Sequence, residues 1–200
     1  MFSLLILFLI VFIVYMKKNR YISVAFLYLT ITYIFLIIGV LFENITAITV
    51  MLLLLAFATP CSAATFSYII TNNRKFSAGL FGVFFVVWLY FLYTLITTPP
   101  RIALTESMLH IVVTSYTMFI ITYGFFLPAL TINFIVLLTA FETRDISTKL
   151  IIIFHSISIS AYGIATYYLM IDPITAHAFF ILTALLLIEM VVLGVMKRSR

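Results

Sequence analysis

The chain has 200 residues, of which 66% are apolar and 8% are charged. A soluble globular domain carries about half and about a quarter, so a water-soluble enzyme is excluded, and the richness in Phe and Tyr excludes a disordered chain. The net charge of +5 comes from short basic clusters between apolar runs, which is typical of membrane topology and not of a nucleic-acid surface. The composition predicts an all-α integral membrane protein that contacts the lipid bilayer, with residues 1–200 as a single polytopic domain.

Seven apolar runs predict seven transmembrane helices. The first run lacks a preceding positive charge and is followed by Lys17, Lys18 and Arg20, the reverse of a cleaved signal peptide, so we expect it to be retained as a helix. It is short for a span, whereas most of the others have the roughly 20 residues that a bilayer requires. The runs are 2–16, 21–42, 45–71, 77–98, 108–141, 150–171 and 174–196.

Two runs contain helix-disturbing residues. Pro60 lies within the third run, where the missing N–H predicts a kink. The fifth run, of about 34 residues, would be about 51 Å long as a helix, far more than a hydrocarbon core of about 30 Å. Gly124 and Pro128 mark the place where it should kink or break, either as one bent helix or as a helix followed by a re-entrant segment.

Basic residues predict the orientation of the bundle. Ten of the eleven Lys and Arg residues lie in the loops after the first, third and fifth runs and at the C terminus, whereas Arg101 lies alone in the loop after the fourth run. Because basic loops stay in the cytoplasm, we expect the N terminus outside and the C terminus inside. A true loop at residues 124–128 would reverse this parity and place the basic C terminus outside.

Two ionisable residues deep in the predicted bundle, His155 and Glu189, are candidates for proton or cation handling. Their helices are joined by a short turn, which makes them antiparallel neighbours and places the two residues at nearly the same depth. The sequence therefore predicts a His155–Glu189 pair. It could exchange a proton near neutral pH, or it could be a structural hydrogen bond between the helices, and Glu189 could alternatively bond to another subunit.

A second polar cluster is expected at the outer surface. Glu106 and His110 would share a helix face four residues apart, and His177 would begin the last helix at a similar depth, close to Asp172. Two His residues and carboxylates could hold a metal, or His110 and His177 could be the axial ligands of a haem. The alternative is that both His residues are solvated or bonded to carbonyl groups, and no cofactor is otherwise expected.

Small residues in the sixth run predict close helix packing. Ser156 and Ser160 are four residues apart and Gly163 follows them, a spacing that lets neighbouring helices approach.

Two functions of different classes fit these features. The first is a multi-pass subunit of a larger membrane complex, for example a respiratory or proton-translocating one, whose partners are other membrane subunits and which is not catalytic on its own. The second is a small autonomous transporter or channel, in which His155, Glu189 and the helices interrupted at Pro60 and Pro128 line the pathway. Serine-nucleophile and phosphate-loop motifs are missing from the sequence, and this leaves an intramembrane enzyme without support.

Overall fold

A computed structural model describes residues 2–17, 19–105 and 108–196 of the chain. Within these residues the fold consists of seven helices and one β-hairpin. The helices are α1 (Phe2–Tyr15), α2 (Arg20–Leu41), α3 (Ile45–Thr71), α4 (Arg74–Thr97), α5 (Ser115–Glu142), α6 (Ile146–Tyr168) and α7 (Pro173–Met196), and the strands are β1 (Arg101–Thr105) and β2 (Met108–Val112).

Six of the helices, α2 to α7, are long and apolar enough to cross a membrane, and α1 is a shorter apolar helix. The protein is therefore a helical, multi-pass membrane protein. The seven helices follow the seven predicted runs closely, and the main difference is at the start of the fifth.

The fifth predicted run was wrong at its N-terminal end. Residues 108–112 form β2 and pair antiparallel with β1, so that Arg101 lies opposite Val112. The helix begins only at Ser115, where the side chain of Thr114 accepts a hydrogen bond from the backbone N–H of Thr117. An apolar run alone does not distinguish a buried strand from a helix, and the correction shortens the helix to 28 residues, about 42 Å.

Helix α5 is continuous, and its irregularity lies where the sequence predicted one. A π-helical segment, Ile121–Phe126, contains Gly124 and comes immediately before the α-helical part that contains Pro128. Proline cannot donate the usual backbone hydrogen bond, and a wider turn is one way in which a helix accommodates that loss. Residues 124–128 are thus neither a loop between two spans nor the start of a separate re-entrant segment.

Helix α3 likewise continues through Pro60 without a break. The hydroxyl of the preceding Thr59 donates a long hydrogen bond of 3.5 Å to the carbonyl of Phe125, within the π-helical segment of α5. The two helix irregularities of the sequence therefore face each other in space.

The chain divides into two compact units. Unit 1 consists of Met1–Ile37 and Asn133–Arg200, and unit 2 of Ile38–Ile132, so that α2 and α5 each contribute to both. The single domain expected from the sequence stays a prediction.

Unit 1 is built on the α6–α7 hairpin, with α1 packed against α7. The contact between α1 and α7 is close at Gly194, where an added Cβ would lie 2.5 Å from a methyl group of Val14. The Tyr15 hydroxyl, which is buried, donates a 3.0 Å hydrogen bond to the carbonyl of Met190. These contacts pack one side of the short helix α1 against α7, and its other side is exposed.

Unit 2 is built on the α3–α4 hairpin, against which α5 packs. The rings of Phe57, Phe81, Phe85 and Trp88 form a continuous series, in which the Phe85 and Trp88 rings stack at 5.6 Å. The Trp88 indole N–H donates a 2.9 Å hydrogen bond to the carbonyl of Leu53. Trp88 thus joins α4 to α3 by both ring packing and a hydrogen bond.

Candidate functional site

His155 lies inside unit 1, in a core made of aromatic rings. Its imidazole meets the Phe26 ring edge-on at 5.5 Å. The Phe26 ring in turn contacts Phe8, which also meets Tyr33 and Tyr162 edge-on. Helices α1, α2 and α6 each contribute to this ring cluster, and His155 is half-buried beside it.

Three polar atoms of α6 are buried without a hydrogen-bond partner: Nδ1 of His155, the Ser156 hydroxyl and the Tyr162 hydroxyl. His155 and Tyr162 are seven residues apart, which places them two turns apart on the same face of the helix. Unpaired buried polar groups cost free energy and mark sites that need an explanation. The sequence identified His155 and Ser156 but missed Tyr162, whose inward position becomes visible only once the ring cluster is known.

Glu189 is on the opposite side of this arrangement. Its side chain is exposed, whereas the adjacent Met190 is fully buried. Met190 is the residue that faces α6 and α1, since its sulphur accepts a 3.7 Å hydrogen bond from Ser158 and its carbonyl accepts one from Tyr15. The inner face of α7 at this depth is therefore apolar.

The predicted pairing of His155 with Glu189 was wrong. No hydrogen bond or ion pair joins them in the described part of the chain, and Nδ1 of His155 has no partner at all. Each helix residue turns about 100° from the one before it, so that Met190 faces inward and Glu189 outward. The proton- or cation-handling role of each residue stays a prediction.

The outer polar cluster has a different geometry from the expected one. His110 lies on strand β2, opposite Ala103, so the helix face that it was to share with Glu106 does not exist. Glu106 itself lies outside the described residues. Nε2 of His110 is buried without a hydrogen-bond partner, which the helical interpretation did not anticipate.

Asp172 and His177 bind backbone and side-chain groups at the start of α7. The Asp172 carboxylate accepts hydrogen bonds from the Thr175 hydroxyl and from the backbone N–H of Ile174. The Thr175 hydroxyl, more than the backbone groups, holds the pKa of Asp172 below its ordinary value. Nδ1 of the exposed His177 lies 2.7 Å from the Pro173 carbonyl, which is the carbonyl-bonded alternative considered for this residue.

Among the described residues, no group of three or more His, Cys, Asp or Glu side chains is placed to hold a metal. Binding of a metal or a haem by His110 and His177 is not tested and stays a prediction.

The small residues of α6 differ in how closely they are packed. Ser156 is buried and Ser160 half-buried, whereas an added Cβ at Gly163 would meet nothing within 4 Å. The close approach in unit 1 is instead at Gly194, which the sequence analysis did not single out. In unit 2, Gly124 brings α5 close to α4, because its added Cβ would lie 3.0 Å from a Val87 methyl group.

A cleft of about 380 Å³ lies in unit 2 beside Pro128. Helices α3, α4 and α5 all line it, with side chains that are mostly apolar and that include Phe66, Phe84 and Leu127. The hydroxyls of Ser67 and Thr131 also line the cleft, but each donates to a carbonyl of its own helix. The cleft thus offers an apolar surface with few free hydrogen-bond donors.

Neither a protein-family model, a curated protein nor a solved structure matches this chain.

Proposed function

We propose that this protein is a subunit of a larger membrane complex and that the outer face of α7 is one of its contact surfaces. The observation that carries the proposal is the exposure of Glu189 on a helix that is long and apolar enough to cross the membrane.

The depth of Glu189 makes its exposure costly in lipid. The residue lies seven positions before the end of α7 at Met196, so its Cα is about 10 Å from the end of the helix. A charged side chain at the centre of a transmembrane helix costs about 2.5–3.5 kcal/mol on insertion scales, and the cost falls toward the helix ends. A group so placed is stabilised by a proton, by a donor from another molecule, or by both.

The surroundings of Glu189 on this face are apolar. Leu182, Leu185 and Val192 lie at helical spacing on the same side, and all are exposed. A single carboxyl group on an otherwise apolar helix face is typical of a contact between membrane helices, where polar side chains hydrogen-bond across the interface. The matching partner is a transmembrane helix that places a Lys, Arg, His or amide side chain at the depth of Glu189.

A carboxyl group held between helices can also bind and release a proton. This chemistry agrees with the energy-transducing, respiratory or proton-translocating complexes that the sequence suggested, and the partner donor would then set the proton affinity of Glu189.

A second candidate is a small autonomous transporter. The cleft beside Pro128 favours it, since ligand sites occur between the helices of bundles. Its lining suits an apolar ligand better than an ion, because the hydroxyls of Ser67 and Thr131 are bonded to their own helices.

The orientation that we propose places the C terminus in the cytoplasm. Ten of the eleven basic residues lie in the turns after α1, α3 and α5, in the first turn of the helix that follows each of them, or beyond α7, and only Arg101 lies on the other side. Cysteines introduced at positions 44 and 101 on a Cys61→Ala background should be labelled from outside, and one at position 74 should not. Labelling of position 74 from outside would reverse the orientation.

Purification in mild detergent tests the subunit proposal. We expect the wild-type protein to carry unrelated chains at a fixed stoichiometry, and Glu189→Leu to lose them while keeping its helical content. Glu142→Leu is the matched control, since Glu142 is an exposed carboxyl residue at the very end of α5, and it should retain the partners. A wild-type protein that purifies alone or as a homo-oligomer would contradict the proposal and favour the transporter. If Glu189→Leu keeps the same partners, the outer face of α7 is not a contact surface.

A further inference from the structure

A groove of about 570 Å³ lies in unit 2 between the end of α3 and the start of α4. Ala64 and Ala78 line it with small side chains, Tyr68 and Phe81 line it with aromatic rings, and Arg74 contributes a guanidinium group. The groove is shallow and open to the surface. It combines one cationic group with an apolar wall.

Hydrogen bonds at the α3–α4 turn fix the walls of the groove. The Ser77 hydroxyl of α4 donates a 2.6 Å hydrogen bond to the carbonyl of Ala64 in α3. Asn72 ends α3 in the left-handed conformation, and the side chain of Asn73 accepts hydrogen bonds from the first N–H groups of α4. These hydrogen bonds hold the end of α3 and the start of α4 together.

Within unit 2, the positive charge at this turn is far in sequence from any carboxylate. Arg74 and Lys75 are both exposed, and the sequence contains no Asp or Glu between Glu43 and Glu106. Glu43 comes just before α3, whose 27 residues separate it from the turn by about 40 Å. Both cations also lie in the first turn of α4, where the helix dipole disfavours positive charge.

The groove lies beside surface that faces lipid. Ile70 and Phe76, which flank the turn, are 62% and 53% exposed. A freely dissolved anion would make no use of these side chains or of the Tyr68 and Phe81 rings, whereas a lipid would bury its chains against them. Tyrosine near a helix end is typical of the membrane interface.

We propose that this groove binds an anionic phospholipid, with its phosphate at the Arg74 guanidinium and its acyl chain along Tyr68 and Phe81. Arginine suits this role because its planar group donates two parallel hydrogen bonds to a phosphate. Lys75 adds long-range attraction to the same headgroup.

Native mass spectrometry of the purified protein with phosphatidylglycerol or phosphatidylcholine tests the site. We expect the wild type to bind phosphatidylglycerol more tightly, with an affinity that falls as salt rises. Arg74→Gln should weaken phosphatidylglycerol binding about fivefold, the usual effect of one basic residue at a membrane surface. Arg144→Gln is the matched control, because this exposed arginine lies between Glu142 and Asp145 in sequence, and it should leave the affinity unchanged.

A second variant separates the groove from its charge. Ala78→Phe fills the space between α3 and α4 and leaves both cations in place, and we expect it to lower phosphatidylglycerol binding as Arg74→Gln does. The helical content and unfolding temperature of each variant in phosphatidylcholine micelles check that it is folded. Equal binding of the two lipids by the wild type, unchanged binding by both variants, or inorganic phosphate that binds as tightly as phosphatidylglycerol would each overturn the proposal.

Discussion

His155 on α6 and Glu189 on α7, two ionisable residues within the α6–α7 hairpin, meet opposite environments. His155 is held inside unit 1 against the Phe26 ring, whereas Glu189 is exposed on the outer face of α7 among apolar side chains. The His155 imidazole packs against an aromatic ring, and on our proposal the Glu189 carboxyl group is stabilised by a proton or by a donor from another molecule. The comparison shows that depth in a membrane does not decide whether two polar residues meet, because the rotation of each helix decides it.

The ring cluster on the inner side should be the most sensitive part of unit 1. Phe8 is fully buried and meets Phe26, Tyr33 and Tyr162. We expect Phe8→Ala to lower the free energy of unfolding by about 3–5 kcal/mol, because it leaves a cavity among the rings. Leu185→Ala on the outer face is the control and should change stability by less than about 0.5 kcal/mol. Chemical unfolding in detergent measures both, and similar losses would mean that the two faces are equally packed.

A close helix contact on the inner face of α7 gives the next largest effect. The added Cβ of Gly194→Val would lie 2.5 Å from a Val14 methyl group, so overpacking should cost about 1–3 kcal/mol. Gly163→Ala is the matched control, since its Cβ meets nothing within 4 Å, and it should be neutral or stabilise by up to about 1 kcal/mol through helix propensity. Thermal unfolding of the two variants compares them, and a tolerated Gly194→Val would show that α1 does not pack at this position.

Replacement of His155 tests whether its imidazole stabilises unit 1. Because Nδ1 of His155 has no hydrogen-bond partner, His155→Leu should leave stability unchanged or raise it by up to about 1 kcal/mol. A loss of more than about 1 kcal/mol would mean that the imidazole makes a stabilising hydrogen bond. A complex that assembles normally but is inactive with this variant would assign His155 to proton handling.

The smallest expected effect concerns Asp172. Unlike His155 and Glu189, this carboxylate has its hydrogen-bond partners within the chain. Its pKa is lowered by the Thr175 hydroxyl, so its contribution to stability is present above the ordinary carboxyl pKa and is lost as the pH falls through the lowered value. We expect Thr175→Val to raise the pKa of Asp172, as measured by NMR titration of the labelled carboxyl group. An unchanged pKa would mean that the backbone N–H groups alone hold the carboxylate.

The helices could be predicted because apolar runs in a membrane protein are long and are bounded by polar or proline-containing turns. The Asn72–Asn73 turn illustrates this, since both asparagines end or begin a helix there. The β-hairpin could not be predicted, because residues 108–112 are as apolar as the helix that follows and Pro99 and Pro100 mark only the end of α4.

The site was predictable in its residues but not in its geometry. Helix α7 is apolar around its whole circumference, so no amphipathic pattern indicates which side of it packs inward. Only the contacts of Met190 with α1 and α6 fix that rotation. The ring cluster and the α3–α4 groove also depend on which helices pack against each other. The sequence predicted such packing only for helices that follow one another along the chain.

A double-mutant cycle in thermal stability between His155→Leu and Glu189→Leu tests the central claim most directly, because it measures whether the two residues interact. If they face opposite sides of the hairpin, as their exposures indicate, the effects of the single variants add to within about 0.5 kcal/mol in the double variant. A coupling free energy above about 1 kcal/mol would show that the residues pair inside the bundle, and it would contradict the assignment of Glu189 to an outer contact surface.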